Sequence, residues 1–257
     1  MNFFFSFKNS FLKSRITIPR FNNFGKYNKS LKVYEAKIEK NLWKISSVVC
    51  NFNDDFYFVD EKLTNNESIF FLAEQNNFDL IKNNGYTKLV NFNNFTRTSP
   101  VEYRSNLKII LNDGGFSSYQ SDYPYYLIGK KGSILSPISS LLNKNNDKNI
   151  ILFKNIFEEP HHKKFNLFFI DLTKKQVLNK IEIFTNNTNE IYVDSKYISS
   201  NIYIYTDHYI GIPIFISIKN KHISLEHTHP PHHYILSDDK FKKISEIKKQ
   251  VNEIINS

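Results

Sequence analysis

The sequence predicts a mainly β protein, an antiparallel β-sandwich or a jelly-roll-like barrel, followed by a C-terminal amphipathic helix. Short segments rich in β-branched and aromatic residues recur at a spacing of roughly ten residues, as they do in sandwiches and barrels. Polar clusters such as NKNNDKN and TNNTN separate these segments, and Asn and Asp accept the backbone conformations of tight turns. A helical repeat of apolar residues near the end of the chain indicates the helix.

Eight segments carry the strand pattern most clearly. They are residues 107–111, 150–157, 166–172, 180–184, 190–193, 201–205, 212–218 and 222–227. The isoleucines of segment 212–218 stand at every second position, which places them on one face of a strand. The polar residues after this segment favour a tight turn, so residues 212–218 and 222–229 predict a β-hairpin.

The rest of the chain completes a four-part organisation. Segments 41–49 and 55–60 can form a second hairpin, and segment 69–85 can form a strand followed by a short helix. Near the end, Ser237 or Asp238 can cap a helix whose apolar face consists of Phe241, Ile244, Ile247, Val251 and Ile254. We expect a basic arm at 1–30, a small α+β subdomain at 31–97, a β-sandwich or barrel at 98–236 and a C-terminal helix at 237–257.

Positive charge is concentrated at the start of the chain. The protein has 257 residues and a net charge of +9. Residues 1–34 contain seven basic residues and no acid, whereas the remainder contains 27 basic and 25 acidic residues. Only four residues of the sequence are arginine, the side chain best suited to bind phosphates and base edges. A nearly neutral, arginine-poor body argues against a nucleic acid as the partner.

The first residues allow two interpretations. Phe4, Phe7, Phe11 and Ile18 fall near one face of a helix, which together with the missing acids is typical of an organelle transit peptide over residues 1–34. We favour the alternative, a disordered or strand-forming basic arm on a cytoplasmic protein. The single cysteine excludes an internal disulfide and fits a reducing compartment. No run of about 18 uncharged apolar residues predicts a transmembrane segment.

Histidines are concentrated in the stretch ISLEHTHPPHHYIL, residues 223–236. If a strand continues through it, alternation directs His227 and His229 to the same side as apolar neighbours, and His233 can add a third ligand. Such a set suits Zn²⁺ or Fe²⁺. The spacing of His227 and His229 resembles part of the first cupin motif, although the glycine and glutamate of that motif have no counterpart at matching distances. We favour the alternative that these histidines end a strand at the solvent boundary.

A second candidate site lies in NDGGFSSYQSDYPYY, residues 112–126. The Gly-Gly pair permits a close approach of the backbone to a ligand. Three tyrosine rings can stack on a sugar, namely Tyr123, Tyr125 and Tyr126, while its hydroxyl groups can bond to Asp113, Asp122 and Gln120. The alternative is a tyrosine-rich hairpin that packs within a sheet.

The sequence gives little indication of catalysis. It contains no Gly-x-Ser-x-Gly motif, and Cys50 lies in an apolar run typical of a core position. We therefore predict a non-catalytic module that binds a carbohydrate or another neutral polar ligand. Two alternatives stay open. One is a metal-dependent, cupin-like enzyme that holds Zn or Fe through the histidines, and the other is a structural subunit that binds a protein partner.

Overall fold

The computed structural model of the protein contains four antiparallel sheets and one α-helix. It describes residues 2–20, 31–74, 85–89, 104–227 and 236–257. Strands account for 50% of the structure and helices for 11%. The strands are β1 Asn2–Phe5, β2 Leu12–Pro19, β3 Leu31–Glu39, β4 Leu42–Ser47, β5 Asn51–Phe52, β6 Phe56–Val59, β7 Ile69–Glu74, β8 Asn106–Leu111, β9 Phe116–Gln120, β10 Asp122–Pro124, β11 Leu135–Pro137, β12 Lys148–Lys154, β13 Lys164–Asp171, β14 Gln176–Phe184, β15 Thr188–Tyr192, β16 Ile202–Thr206, β17 Ile212–Lys219 and β18 His222–His227. The helix α1 spans Lys240–Asn256, and single 3₁₀ turns span Tyr125–Leu127 and Ser195–Tyr197.

The strands form two sheets in each half of the chain. Sheet I has the order β10-β1-β7-β3-β4, and sheet II has the order β5-β6-β2-β8-β9. Sheet III has the order β15-β12-β17-β18, and sheet IV has the order β11-β16-β13-β14. The chain crosses repeatedly between the two sheets of each half, so neither sheet of a pair is built from consecutive strands alone.

The first residues are integral to sheets I and II. Strand β1 lies between β10 and β7, and β2 lies between β6 and β8. The side chains of residues 3–18 on the inner faces are fully buried; they include Phe3, Phe5, Phe7, Leu12, Ile16 and Ile18. Residues 2–20 therefore contain two strands in this structure, and both interpretations of the arm, including the transit peptide, stay predictions. Strands β8 and β10, which follow the expected boundary near residue 97, pair with β2 and β1, and the four-part organisation stays a prediction.

Three hydrophobic clusters hold the sheets together. The first lies among sheets I and II and one face of sheet III, and the second lies between sheets III and IV. Strand β12 serves both, because Ile150 and Leu152 face the first cluster while Ile151 and Phe153 face the second. In the third cluster, Val251 and Ile254 of α1 cover the outer face of sheet IV, as its apolar repeat predicts.

The prediction of a mainly β protein with a C-terminal helix is confirmed. The finer expectation differs, because the sheets are arranged like the blades of a four-bladed propeller and do not form a clear sandwich or jelly roll. The physical reason is that sheet III is apolar on both faces, so a single pair of layers cannot bury it. Within the described ranges, no helix combines the length and the apolar character required to cross a membrane.

The predicted strands are confirmed, and so is the hairpin whose turn residues the sequence indicates. All eight segments with the strand pattern are strands, and β17 and β18 form the expected hairpin. Its turn residues, Asn220 and Lys221, both have positive φ, as a two-residue turn of this type requires. The helix begins at Lys240 behind Asp239, which makes no side-chain capping hydrogen bond, and neither expected capping residue occupies that position.

The second predicted hairpin is wrong. Strand β4 pairs with β3, whereas β6 pairs with β2 and β5 in the other sheet. The reason is local, because Lys40 and Asn41 adopt positive φ and form a two-residue turn that joins β4 to the preceding strand. Segment 69–74 is a strand, as predicted, and the short helix expected after it lies outside the described residues.

Candidate functional site

An open cleft of about 280 Å³ is the feature best suited to a small polar ligand. Two tyrosines, two aliphatic side chains and one carboxylate line it: Leu89, Tyr125, Tyr126, Ile128 and Glu158. We call it the tyrosine cleft. Ligand sites have volumes of about 300–1,000 Å³, so this cleft lies at the lower limit and matches a single sugar ring better than a chain of them.

The two tyrosines are placed by a short, well-defined turn after β10. Pro124 has φ −61° and precedes the 3₁₀ turn, where the fixed backbone of proline is favourable. Within the turn, the amide of Ile128 donates to the carbonyl of Tyr125 at 3.1 Å. The ring of Tyr125 is half-buried, with its centroid 6.1 Å from that of Phe3. The ring of Tyr126 points outward and is 57% exposed. One ring is thus anchored in the core while the next is open to a ligand.

Glu158 follows β12 and is held in position through its backbone. Its carbonyl accepts hydrogen bonds from the indole Nε1 of Trp43 and from the amide of Leu89, both at 2.7 Å. Its carboxylate forms an ion pair with Lys88, whose Nζ lies 3.1 Å from Oε1. Because the carboxylate remains partly exposed, it can accept hydrogen bonds from hydroxyl groups of a ligand.

Gly129 permits the close approach of the turn to Glu158. Its φ is +76°, a conformation that glycine adopts without steric cost. A β-carbon at this position would lie 3.3 Å from Cδ of Glu158. Both the backbone conformation and the space therefore require glycine here.

Gly129→Ala is expected to lower the free energy of unfolding by about 1–3 kcal/mol, because alanine is strained at this φ and presses on the carboxylate. Chemical denaturation measures the loss. Gly115→Ala is the matched control, since its β-carbon would meet only the carbonyl of Lys221 at 3.4 Å, an ordinary contact. Equal stability of the two variants would contradict the assigned role of Gly129.

Only part of the tyrosine-rich segment, residues 112–126, lies in the tyrosine cleft. Tyr125 lines the cleft, and its role in binding a ligand stays a prediction. Tyr123 is fully buried, its hydroxyl donates to the carbonyl of Ile210 at 3.3 Å, and burial raises its pKa far above the ordinary value. As placed, its ring has no surface for a sugar. Asp113 is exposed in the β8–β9 turn beside the hairpin turn at Lys221 and does not line the cleft.

The histidine stretch is described as far as His227. Leu225 is buried and His227 is half-buried, whereas Ser224 and Glu226 are exposed, so β18 alternates as predicted. Nδ1 of His227 lies 2.5 Å from the hydroxyl of Tyr119, and the two ring centroids are 4.4 Å apart. His229 and His233 lie outside the described residues. Among the residues that are described, no group of three or more His, Cys, Asp or Glu side chains is placed to hold a metal ion. The metal site therefore stays a prediction.

Two further reactive groups have shifted pKa values. Burial and the nearby charge of Asp60 raise the pKa of Cys50 to about 11, so its thiol stays protonated and is a poor nucleophile. Lys154 is fully buried and donates one hydrogen bond, from Nζ to the carbonyl of Asn66 at 3.1 Å. Burial lowers its pKa to about 7, while the charge of Glu67 opposes the shift. Asn66 and Glu67 line a shallow depression of about 390 Å³, but Lys154 itself does not reach it.

Sequence reasoning did not identify the complete cleft. Tyr126 adjoins the predicted Tyr125, and its exposure depends on the 3₁₀ turn that reverses the direction of successive side chains. Glu158 is 33 residues from Tyr125 and comes to it only through the packing of β12 against sheet I. The sequence does indicate Glu158 in one way, because a carboxylate that follows a predicted apolar strand lies where the chain leaves the core.

A comparison of the chain with known protein families, with curated proteins and with solved structures finds no match in any of the three. A function for this chain is therefore argued from its own residues.

Proposed function

We propose that the protein is a non-catalytic module that binds a carbohydrate, or a similar neutral polar ligand, in the tyrosine cleft. The observation that carries the proposal is the placement of an exposed tyrosine ring beside a carboxylate at the mouth of a small cleft. A sugar presents an apolar C–H face and a rim of hydroxyl groups. An aromatic ring packs against the apolar C–H face, and a carboxylate accepts hydrogen bonds from the hydroxyl groups. The two side chains can therefore bind the same ligand.

The surroundings of the cleft support binding more than reaction. Glu158 is paired with Lys88, and among the described residues that line the cleft no second one is a carboxylate, histidine or cysteine. General acid–base catalysis on a glycoside normally needs two carboxyl groups at a defined separation. The metal-dependent enzyme and the structural subunit stay predictions.

Tyr126→Ala is expected to weaken sugar binding by about tenfold, because stacking contributes about 0.5–1.5 kcal/mol in addition to the apolar area that the ring buries. Chemical-shift titration of the full chain with methyl glycosides, preceded by a glycan array to choose them, measures the change. Tyr192→Ala is the matched control, because Tyr192 is also 57% exposed but lies on β15, outside the cleft.

Glu158→Gln tests the carboxylate in the same titration. It keeps the shape of the side chain and the backbone contacts with Trp43 and Leu89, and removes only the charge. A glycan array without any bound sugar, together with the absence of shifts at cleft residues, would refute the proposed function.

A further inference from the structure

We propose that the ligand of the tyrosine cleft is an acidic sugar, a pyranose that carries a carboxylate, and that Lys130 binds this carboxylate. This inference rests on the proposed function, since it names the class of sugar that the same cleft selects. The observation behind it is an uncompensated cation next to the exposed ring.

The charges around the cleft do not balance. Glu158 is neutralised by Lys88 at 3.1 Å, and the adjacent Glu159 is paired with Lys163. The ammonium of Lys130 lies 5.2 Å from the centroid of the Tyr126 ring. Within the described part of the chain, Lys130 forms no ion pair with a carboxylate. One positive charge is therefore left at the edge of the surface on which a sugar would stack.

The backbone holds this cation and the ring together. Lys130 donates its amide to the carbonyl of Leu127 at 3.2 Å, which closes a second turn directly after the 3₁₀ turn. The positive φ of Gly129 directs the chain back, so that Lys130 returns to Tyr126 four positions earlier. The two backbone turns therefore place Lys130 on the side of the chain where its ammonium reaches the Tyr126 ring.

The chemistry of the three groups selects the ligand. The ring of Tyr126 accommodates the apolar face of a pyranose, and the Glu158 carboxylate accepts from its hydroxyl groups. A lysine ammonium is a compact point charge that suits a carboxylate on the rim of that ring. A cationic sugar would instead be repelled by Lys130 and would compete with Lys88 for Glu158. The arrangement thus favours an acidic sugar over a neutral one, and a neutral one over an amino sugar.

The test compares methyl β-glucuronide with methyl β-glucoside, which differ in the acidic group at C6. We expect the full chain to bind the glucuronide about fivefold more tightly at low ionic strength, the scale of an exposed ion pair. The preference should disappear at about 1 M salt, where the Debye length falls to about 3 Å. Lys130→Met should abolish the preference for the glucuronide over the glucoside. Lys131→Met, which removes a neighbouring exposed lysine outside the cleft, is the matched control.

Each outcome of this comparison decides a separate point. Equal binding of both glycosides, or a preference that survives in Lys130→Met, would overturn the assignment of an acidic sugar and leave the proposed function standing. Failure of both glycosides to bind, with a silent glycan array, would refute the proposed function itself. Loss of the preference in Lys130→Met alone would confirm the inference.

Discussion

Lys154→Met is expected to stabilise the protein by several kcal/mol at pH 6 and to have little effect near pH 10. The ammonium of Lys154 is fully buried and, among the described residues, has a single hydrogen bond, and burial lowers its pKa from 10.5 to about 7. In the unfolded chain the pKa is the ordinary one. At 1.36 kcal/mol for each pKa unit, the buried charge costs up to about 5 kcal/mol.

The sign of the pH dependence follows from which state holds the proton. Below about pH 7 the lysine is charged in both states, so the folded protein bears the full cost of burying the charge. Between about pH 7 and 10.5 only the unfolded chain is protonated, and the contribution of this group to stability improves as the pH rises. Above 10.5 both states are neutral and the cost is gone. Methionine never carries the charge, so its advantage should be largest at low pH.

Urea denaturation of both proteins at pH 6 and pH 10 measures this difference. Methionine fills a similar volume, and the carbonyl of Asn66 keeps a hydrogen bond from the amide of Thr188 at 2.8 Å, so the substitution leaves no orphaned acceptor. Lys174→Met, at an exposed lysine in the β13–β14 turn, is the control and should show no pH-dependent gain. A variant that is less stable than the parent at pH 6 would show that the buried charge is compensated.

Trp43→Ala is expected to cost about 3–5 kcal/mol of stability, the range for removal of a large buried aromatic side chain. Trp43 is 1% exposed and is the only tryptophan of the protein. Its backbone amide and carbonyl form a bridge with Tyr86, at 2.8 and 3.0 Å, and its indole donates to Glu158. Alanine leaves a cavity in the first cluster and removes one of the two hydrogen bonds that hold the carbonyl of Glu158.

Far-ultraviolet circular dichroism during urea denaturation measures this loss, because the variant has no tryptophan to observe. Trp43→Phe is the informative companion, since it keeps an aromatic ring in the core and removes the indole N–H together with part of the ring volume. We expect it to lose roughly 1–2 kcal/mol, mostly from the hydrogen bond and the smaller ring. A loss below about 1 kcal/mol in Trp43→Ala would mean that the surrounding sheet collapses into the space.

Local sequence patterns were sufficient for the strands and the helix. The alternating isoleucines of β17 and the polar turn before His222 specify a hairpin through residues adjacent in the chain. The same holds for α1, whose apolar repeat needs no distant partner to be recognised. The assignment of strands to sheets was not predictable in this way, because β4 and β6 have similar patterns and differ only in the strands they meet.

The candidate site illustrates the same limit. Tyr125 was predicted from its neighbours in sequence, whereas Glu158 joins it only because β12 places its end against sheet I. Tyr123 belongs to the same run of tyrosines, yet it points into the core where Tyr126 points out. A shift of one position within the short turn decides which tyrosine ring faces a ligand. The composition of the segment gives no information about that shift.

The position of β1 next to β10 determines when the protein can fold during its synthesis. Phe3 pairs with Tyr123, so the first strand emerges from the ribosome 120 residues before its partner. At about 5–20 residues per second this delay is about 6–24 s. Throughout it, β1 lacks its partner β10, and the first hydrophobic cluster around Phe3, Phe5 and Phe7 is incomplete. Such long-range pairing slows folding and prolongs the exposure of apolar surface in the nascent chain. We therefore expect the nascent chain to depend on molecular chaperones more strongly than its compact native state suggests.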